Sequence, residues 1–350
     1  MSSNKSIRFF NPGLTYKKNK KEFDKAIKKV LSEGQLILRK DVEDFEKSLA
    51  EYCGTKYAVA LNSCTDALYL ALRGLKIGPG DEVLVPSRTF VATAQVIIQV
   101  GATPVYYDTD GVFVITERTK AIIPVHIEGA FGADMTFLCN QMRERGIYVI
   151  EDAAQALGAE QNGKKAGSFG IAGCFSFYPA KTLGCFGDGG ALVTNNEELY
   201  KWIRDARNHF KEDARDWGVN SRLDNLQAAV LNIRLAQYPQ ILARRQQIAE
   251  MYHTELSTLP ITLPPQTQGR IWQDYIINAG SGILRNNLFA FLKEQGVETM
   301  KNNYPFPVPK LHGAQQYEDE TLRIPLNENL KDSEVAYVIK KIKEFYVITN

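Results

Sequence analysis

Lys181 ends a run of small and aromatic residues, Cys174-Phe175-Ser176-Phe177-Tyr178-Pro179-Ala180-Lys181, in this 350-residue chain. Asp152 lies 29 positions earlier, at the end of the apolar run Ile147-Tyr148-Val149-Ile150 and Glu151. A primary amine can form an imine, be displaced from it by another amine, and then carry protons between carbons as a free base. A carboxylate can keep a ring nitrogen protonated so that the ring accepts electrons. An amine, an acid and the Ser176 hydroxyl at the ends of successive strands are the parts that hold an aldehyde cofactor, which points to pyridoxal 5′-phosphate.

Each residue also has a plainer reading. Lys181 alone could be a surface lysine. Asp152 could cap the segment beginning Ala153-Ala154, or join Glu151 on a magnesium ion, although no Gly-x-x-x-x-Gly-Lys loop accompanies it. Ser63-Cys64-Thr65-Asp66 follows a strand and opens a helix. That helix start would suit a phosphate through its free N–H groups and positive dipole end, or be an ordinary N-cap. Phe90, after Pro86-Ser87-Arg88-Thr89, could stack on a ring or enter the core.

The elements around these residues alternate. Strands are expected at 58–61, 82–86, 103–107, 121–126, 147–151, 173–177 and 191–194, mostly with helices between them. Such alternation predicts a mainly parallel, seven-stranded sheet covered on both faces, with one antiparallel strand after the turn Gly187-Asp188-Gly189-Gly190. In open α/β sheets ligands bind beyond the carboxyl ends of the strands, and all the residues singled out lie there. From Leu223 to Leu256 the pattern is helical, with Pro239 expected to kink or restart it. Pro260, Pro264 and Pro265 mark a linker. A large domain at 1–235 and a smaller α+β domain at 236–350 are expected.

Hydrophobic content of 44%, charged content of 23% and a net charge of +2 are ordinary for a globular protein and give no reason to expect nucleic acid or a membrane as partner. Five cysteines without a Cys-x-x-Cys pair fit reduced thiols better than disulfides or zinc. The polar start 1–13 has no apolar signal core, and no stretch reaches the roughly 18 apolar residues of a spanning helix. A cytoplasmic protein is expected.

Five ordered segments carry a resemblance: Asn62–Leu68, Glu151–Ala159, Gly167-Ser168-Phe169-Gly170, Phe175–Lys181 and Gly187–Ala191. Together they resemble the DegT-type nucleotide-sugar aminotransferases, closely over about 20–235 and loosely beyond. The resemblance implies the fold of type I pyridoxal phosphate enzymes. It implies Lys181 as the Schiff-base lysine, Asp152 as the ring-nitrogen partner, Gln155 near the ring hydroxyl and Phe90 as the stacking aromatic. Ser176 and the N–H groups of Cys64 and Thr65 match the phosphate cup. Asn220 matches an asparagine that reaches the phosphate of a neighbouring subunit, so a homodimer with shared sites is implied. The implied reaction takes an amino group from L-glutamate, through the pyridoxamine form, to a keto carbon of a nucleotide-linked sugar. The stretch Asn220–Asp224 leans toward amination at C3 rather than C4.

Asn303 and Tyr304 fall in a stretch that resembles a substrate-side motif, with asparagine where histidine is usual. Cys64 replaces a common glycine, as does Arg39, and Thr182 replaces a frequent asparagine. Trp272 and Asp274 are candidates for the sugar pocket. Two other readings remain: a sugar dehydratase, whose relatives carry histidine at the lysine position, and a regulatory protein that binds the cofactor without turnover.

Overall fold

The computed structural model describes residues 6–108, 111–302, 309 and 311–349. Seven strands form the main sheet: β1 (Tyr57–Leu61), β2 (Glu82–Pro86), β3 (Thr103–Tyr107), β4 (Thr119–Ile122), β5 (Tyr148–Asp152), β8 (Ala172–Ser176) and β9 (Gly190–Thr194). Their order is β1-β9-β8-β5-β4-β2-β3. Only β9 runs against the others, pairing antiparallel with both β1 and β8. The carboxyl ends of β1, β2, β4, β5 and β8 therefore share one edge, as the alternating pattern predicts. A short hairpin, β6 (Glu160–Gln161) with β7 (Lys164–Lys165), connects β5 to β8.

The strands are apolar on both faces because both faces are covered. Helices Lys40–Cys53 and Asn225–Ala236 cover one face, where Phe45 meets Phe177 edge-on at 5.1 Å. Helix Cys64–Gly74 covers the other with Leu68 and Leu72, beside Ile97 of helix Val91–Gln99. Each fully buried Leu or Phe contributes about 1.5–3 kcal/mol.

Prolines mark two boundaries, one shortening an expected strand and one restarting a helix as expected. The run 121–126 pairs as a strand only through Ile122, and Val125 then makes a single bridge to Asp152. Pro124 sits between them with no N–H to donate. The long helical stretch breaks at Gln237, and a new helix, Tyr238–Leu256, starts with Pro239 in its first turn, where a missing N–H costs nothing.

A second sheet, in the order β10 (Tyr275–Asn278), β12 (Thr321–Ile324), β11 (Met300–Lys301), is fully antiparallel. Its core includes Tyr252, Tyr275, Leu288, Leu322, Val338 and Ile342. Helix Tyr238–Leu256 serves both cores: Tyr238 and Ile241 pack with the large sheet, Ile248 and Tyr252 with the small one. No described helix is long and apolar enough to cross a membrane.

Candidate active site

A cavity of about 580 Å³ opens at the shared carboxyl edge and is lined by Lys181, Asp152, Cys64, Thr65, Phe90, Gln155 and Ser176. Seven positions read from sequence thus converge. The eighth, Asn220, is exposed and lies outside this cavity, bridging Asn208. Asn303 and Tyr304 lie outside the described residues.

The cavity floor is the start of helix Cys64–Gly74. Ser63 caps it in extended conformation, its Oγ accepting from the N–H of Asp66 at 3.1 Å. The N–H groups of Cys64 and Thr65 are among those a helix cannot satisfy internally, and they add to the positive dipole end. Cys64 takes ordinary helical backbone, so no glycine is needed here for conformation. Its thiol is buried, 4.0 Å from Asp152 Oδ1, and burial pushes it well above the ordinary thiol value, so it is uncharged. Gly190 lies directly beneath: a Cβ there would sit 2.2 Å from the Ser63 carbonyl carbon and 2.4 Å from the Cys64 nitrogen.

Asp152 is 5% exposed at the end of β5. Thr93 Oγ1 donates to its Oδ2 at 2.7 Å, and the Ala154 N–H donates to its Oδ1 at 3.1 Å. Thr89 Oγ1 lies 2.7 Å from Thr93 Oγ1 and extends the chain. A buried carboxylate is costly unless bonded in this way, and the bonds fix its direction. Glu151, one residue earlier on the opposite face, serves a different purpose. It accepts from the N–H groups of Gly167, Phe169 and Gly170 at 2.7–2.8 Å and faces His126 Nε2 at 2.9 Å. That bonding ties the Gly167–Gly170 motif beneath the site and gives it a structural reason.

Lys181 sits in a tight loop after β8. Its neighbours are pinned: Gln273 donates to Ala180 O at 3.1 Å and accepts from Thr182 N–H at 3.1 Å. Thr182 Oγ1 also lies 2.6 Å from Tyr238 Oη. A Cβ on Gly184 would sit 2.5 Å from Pro179 O, so the loop closes only with glycine there. Burial pushes the Lys181 amine below its ordinary value, against the opposing pull of Asp274 and then Asp152. A lowered value raises the share of neutral, nucleophilic amine.

Phe90 precedes helix Val91–Gln99 and is 50% exposed, presented to the cavity rather than the core. Gln155 accepts the Glu128 N–H at 2.8 Å through its Oε1. Trp272 is core, 3% exposed, with Nε1 donating to Gln246 at 2.7 Å, whereas Asp274 does line the cavity. Sequence reading missed Thr93 and Arg323, which also faces the cavity from β12.

Behind the Lys181 loop, Glu328 bridges Arg234 and Arg245 at 3.2 and 3.1 Å. Arg234 donates to Thr182 O, and Arg245 to the carbonyls of Trp272 and Gln273. Burial pushes the Glu328 carboxyl up, but Arg245 and Arg234 outweigh it and hold it below the usual range. A depressed folded value adds stability that is present above the unfolded value of about 4.3 and is lost as pH falls through the folded one. We expect Glu328→Gln to lower unfolding free energy by about 3–5 kcal/mol at neutral pH, because two buried guanidinium groups lose their partner. The difference from wild type shrinks at acid pH. Urea unfolding at two pH values checks both parts, and equal stability at neutral pH would refute the account of this triad.

The family model for the DegT/DnrJ/EryC1/StrS aminotransferases matches residues 17–343. The chain belongs to this family. It is 38% identical to a dTDP-3-amino-3,4,6-trideoxy-alpha-D-glucose transaminase of Streptomyces venezuelae, over 97% of this chain and 96% of that protein. Among solved structures, DesV of Streptomyces venezuelae, in complex with a ketimine intermediate, superposes with a TM-score of 0.90 at 37% identity, covering 97% of this chain and 98% of that one. NtdA of Bacillus subtilis, with bound cofactor PMP, gives 0.89 at 26% identity over 98% and 85%. The type I fold expected from sequence is the fold observed.

Proposed function

We propose that this family member transfers an amino group from L-glutamate to the C3 keto carbon of a nucleotide-linked ketosugar. The observation that carries the reading is the placement of Lys181 and Asp152 on one cavity whose floor is a helix start. The cofactor is pyridoxal 5′-phosphate, and the residues present fit it. A buried carboxylate held by Thr93 and Ala154 suits a protonated ring nitrogen, the Cys64 and Thr65 N–H groups with Ser176 suit a phosphate, and the buried amine suits an aldehyde.

When bound, the cofactor supplies a carbonyl carbon that can hold the amino group and a ring that withdraws electrons. The chain does the rest. Asp152 holds a proton on the ring nitrogen. The helix start and Ser176 Oγ would hold the cofactor's phosphate, and Phe90 would stack on its ring. With the cofactor bound, Lys181 Nζ would hold its aldehyde and, as a free amine, would serve as the base that moves the proton in both halves of the reaction. Lysine at 181, where relatives with dehydratase activity carry histidine, supports transamination over dehydration.

The C3 position is supported by the Asn220–Asp224 stretch and by the Streptomyces venezuelae relative, whose name carries a 3-amino sugar. The active form is a cytoplasmic homodimer in which Asn220, exposed on the single chain, reaches the phosphate held by the other copy. Residues 1–235 form the cofactor domain and 236–350 the smaller domain, with helix Tyr238–Leu256 rooted in both cores.

Holoprotein should be yellow, and L-glutamate should bleach the long-wavelength band toward that of the amine form. A panel of nucleotide-linked 3- and 4-ketosugars should restore the band with 3-ketosugars. A coloured protein indifferent to amino donors would overturn the transaminase reading, and restoration by 4-ketosugars alone would overturn the C3 assignment.

A further inference from the structure

Glu128 lies in the turn after β4, next to the cavity-lining Ile127, and is 8% exposed. Its backbone is left-handed, with φ 60° and ψ 17°. That region is costly for a residue with a Cβ and persists only where the surroundings hold it. Here they do. Arg88 and Tyr317 both donate to Glu128 Oε1. Arg270 Nη2 donates to the Glu128 main-chain carbonyl at 3.3 Å and lies 3.7 Å from Oε2. Arg88 stacks on the Tyr317 ring, its Cζ 3.4 Å from the centroid. Burial, and then the Glu128 charge, push the Tyr317 phenol up, so it stays a donor. Side chain and carbonyl are thus gripped, and the remaining polar group, the Glu128 N–H, donates to Gln155 Oε1 at 2.8 Å.

That last bond decides an orientation. A backbone N–H can be accepted only by the oxygen of an amide. Gln155 therefore turns Oε1 to Glu128 and leaves its NH2 end to donate. No hydrogen bond among the described residues takes up that end, and Gln155 lines the cavity that holds Asp152 and Lys181. A donor there suits an anionic oxygen on the cofactor ring.

We propose that Glu128 is a positioning residue for Gln155. Its side chain, held by Arg88, Arg270 and Tyr317, keeps residue 128 left-handed, so that its N–H turns the NH2 end of Gln155 toward the ring oxygen of the cofactor. This rests on the reading of Gln155 beside that oxygen. It gives the strained backbone a purpose. It also ties the cofactor contact to the small domain, because Tyr317 comes from helix His312–Glu320 and Arg270 from the segment before β10.

The test follows the pH at which holoprotein loses its yellow colour, a readout separate from turnover. An imine nitrogen beside a ring oxygen holds its proton partly through that oxygen's charge. A donor on the oxygen takes up some of the charge, so the proton leaves at lower pH. Gln155→Leu should therefore raise the midpoint by about one pH unit, the size of one hydrogen bond to a charged oxygen. Glu128→Ala should raise it by most of that amount. Glu128→Gly has lost the grip but takes the left-handed conformation freely, and should fall between wild type and Glu128→Ala. On a Gln155→Leu background, Glu128→Ala should add nothing. Arg88→Met, which removes one partner and leaves Arg270 in place, should move the midpoint the same way by less, and takes the place of Glu128→Ala if that variant does not fold. The inference is overturned by a wild-type midpoint in Glu128→Ala, or in Arg88→Met standing for it. It is overturned too if the shift persists on the Gln155→Leu background, since Glu128 would then act through architecture, or if Glu128→Gly shifts as far as Glu128→Ala. A shift in Gln155→Leu without one in Glu128→Ala sinks the positioning role alone. A wild-type midpoint in Gln155→Leu sinks the reading of Gln155 beside the ring oxygen, and the positioning role with it.

Discussion

Lys181→Ala should abolish the borohydride-reducible attachment of the cofactor and lower turnover by on the order of 10⁴-fold, the upper range for losing a positioned general base. The loss is large because one amine serves twice, as the attachment point and as the group that moves the proton. The fold should survive. No described hydrogen bond runs through Lys181 Nζ, and the bonds that shape its loop run through Ala180, Thr182 and Gln273. Removing a buried amine whose charged form is disfavoured by burial also relieves a desolvation cost. The check is a pair of measurements on the same variant: single-turnover reaction with L-glutamate, and thermal unfolding. Wild-type turnover in Lys181→Ala would refute the mechanism, whereas lost turnover with an unfolded protein would refute the claim that the loop stands without the amine.

Asp152→Asn is expected to have the second largest effect, a fall of about 10²–10⁴-fold in both half-reactions. The substitution is nearly isosteric. One amide oxygen can still accept from Thr93 Oγ1 or from the Ala154 N–H, now at 2.7 and 3.1 Å, but not from both in the present arrangement. The negative charge that holds a proton on the ring nitrogen is gone, and with it the ring's capacity to take electrons from the substrate carbon. Because the defect lies in the ring and not in binding, the rate constant should fall while half-saturation by glutamate changes little. Stopped-flow traces at increasing glutamate separate the two. A variant with unchanged rate and raised half-saturation would make Asp152 a binding group instead.

Much of the site was legible because its parts are local. A strand end followed by a small residue or a helix cap can be read within ten positions, which is how Asp152, Ser176, Lys181, Cys64 and Thr65 were found. Phe90 was open to a core reading on composition, and only its exposure toward the cavity decides it. Pro239 restarted the helix where its missing N–H was expected to, whereas Pro124 ended a strand that had been expected to run through it. Other functional contacts were illegible because they join distant positions. Thr93 reaches Asp152 across 59 residues, Arg245 reaches Glu328 across 83, and Arg323 meets the Lys181 cavity only after the small sheet forms. A threonine inside an apolar helix gives no sign that its hydroxyl is aimed at a carboxylate. Glu151 was visible beside Asp152, but strand alternation sends it to the other face, where its partners are the N–H groups of Gly167, Phe169 and Gly170. That division of labour within Glu151-Asp152 emerges only from the pleat.

The most direct measurement reduces cofactor-loaded protein with borohydride, digests it, and locates the added mass by peptide sequencing in a mass spectrometer. The account predicts a single labelled peptide carrying the pyridoxyl group on Lys181, with the label absent from Lys181→Ala. A label on any other lysine, or none at all on protein that has bound the cofactor, would contradict it.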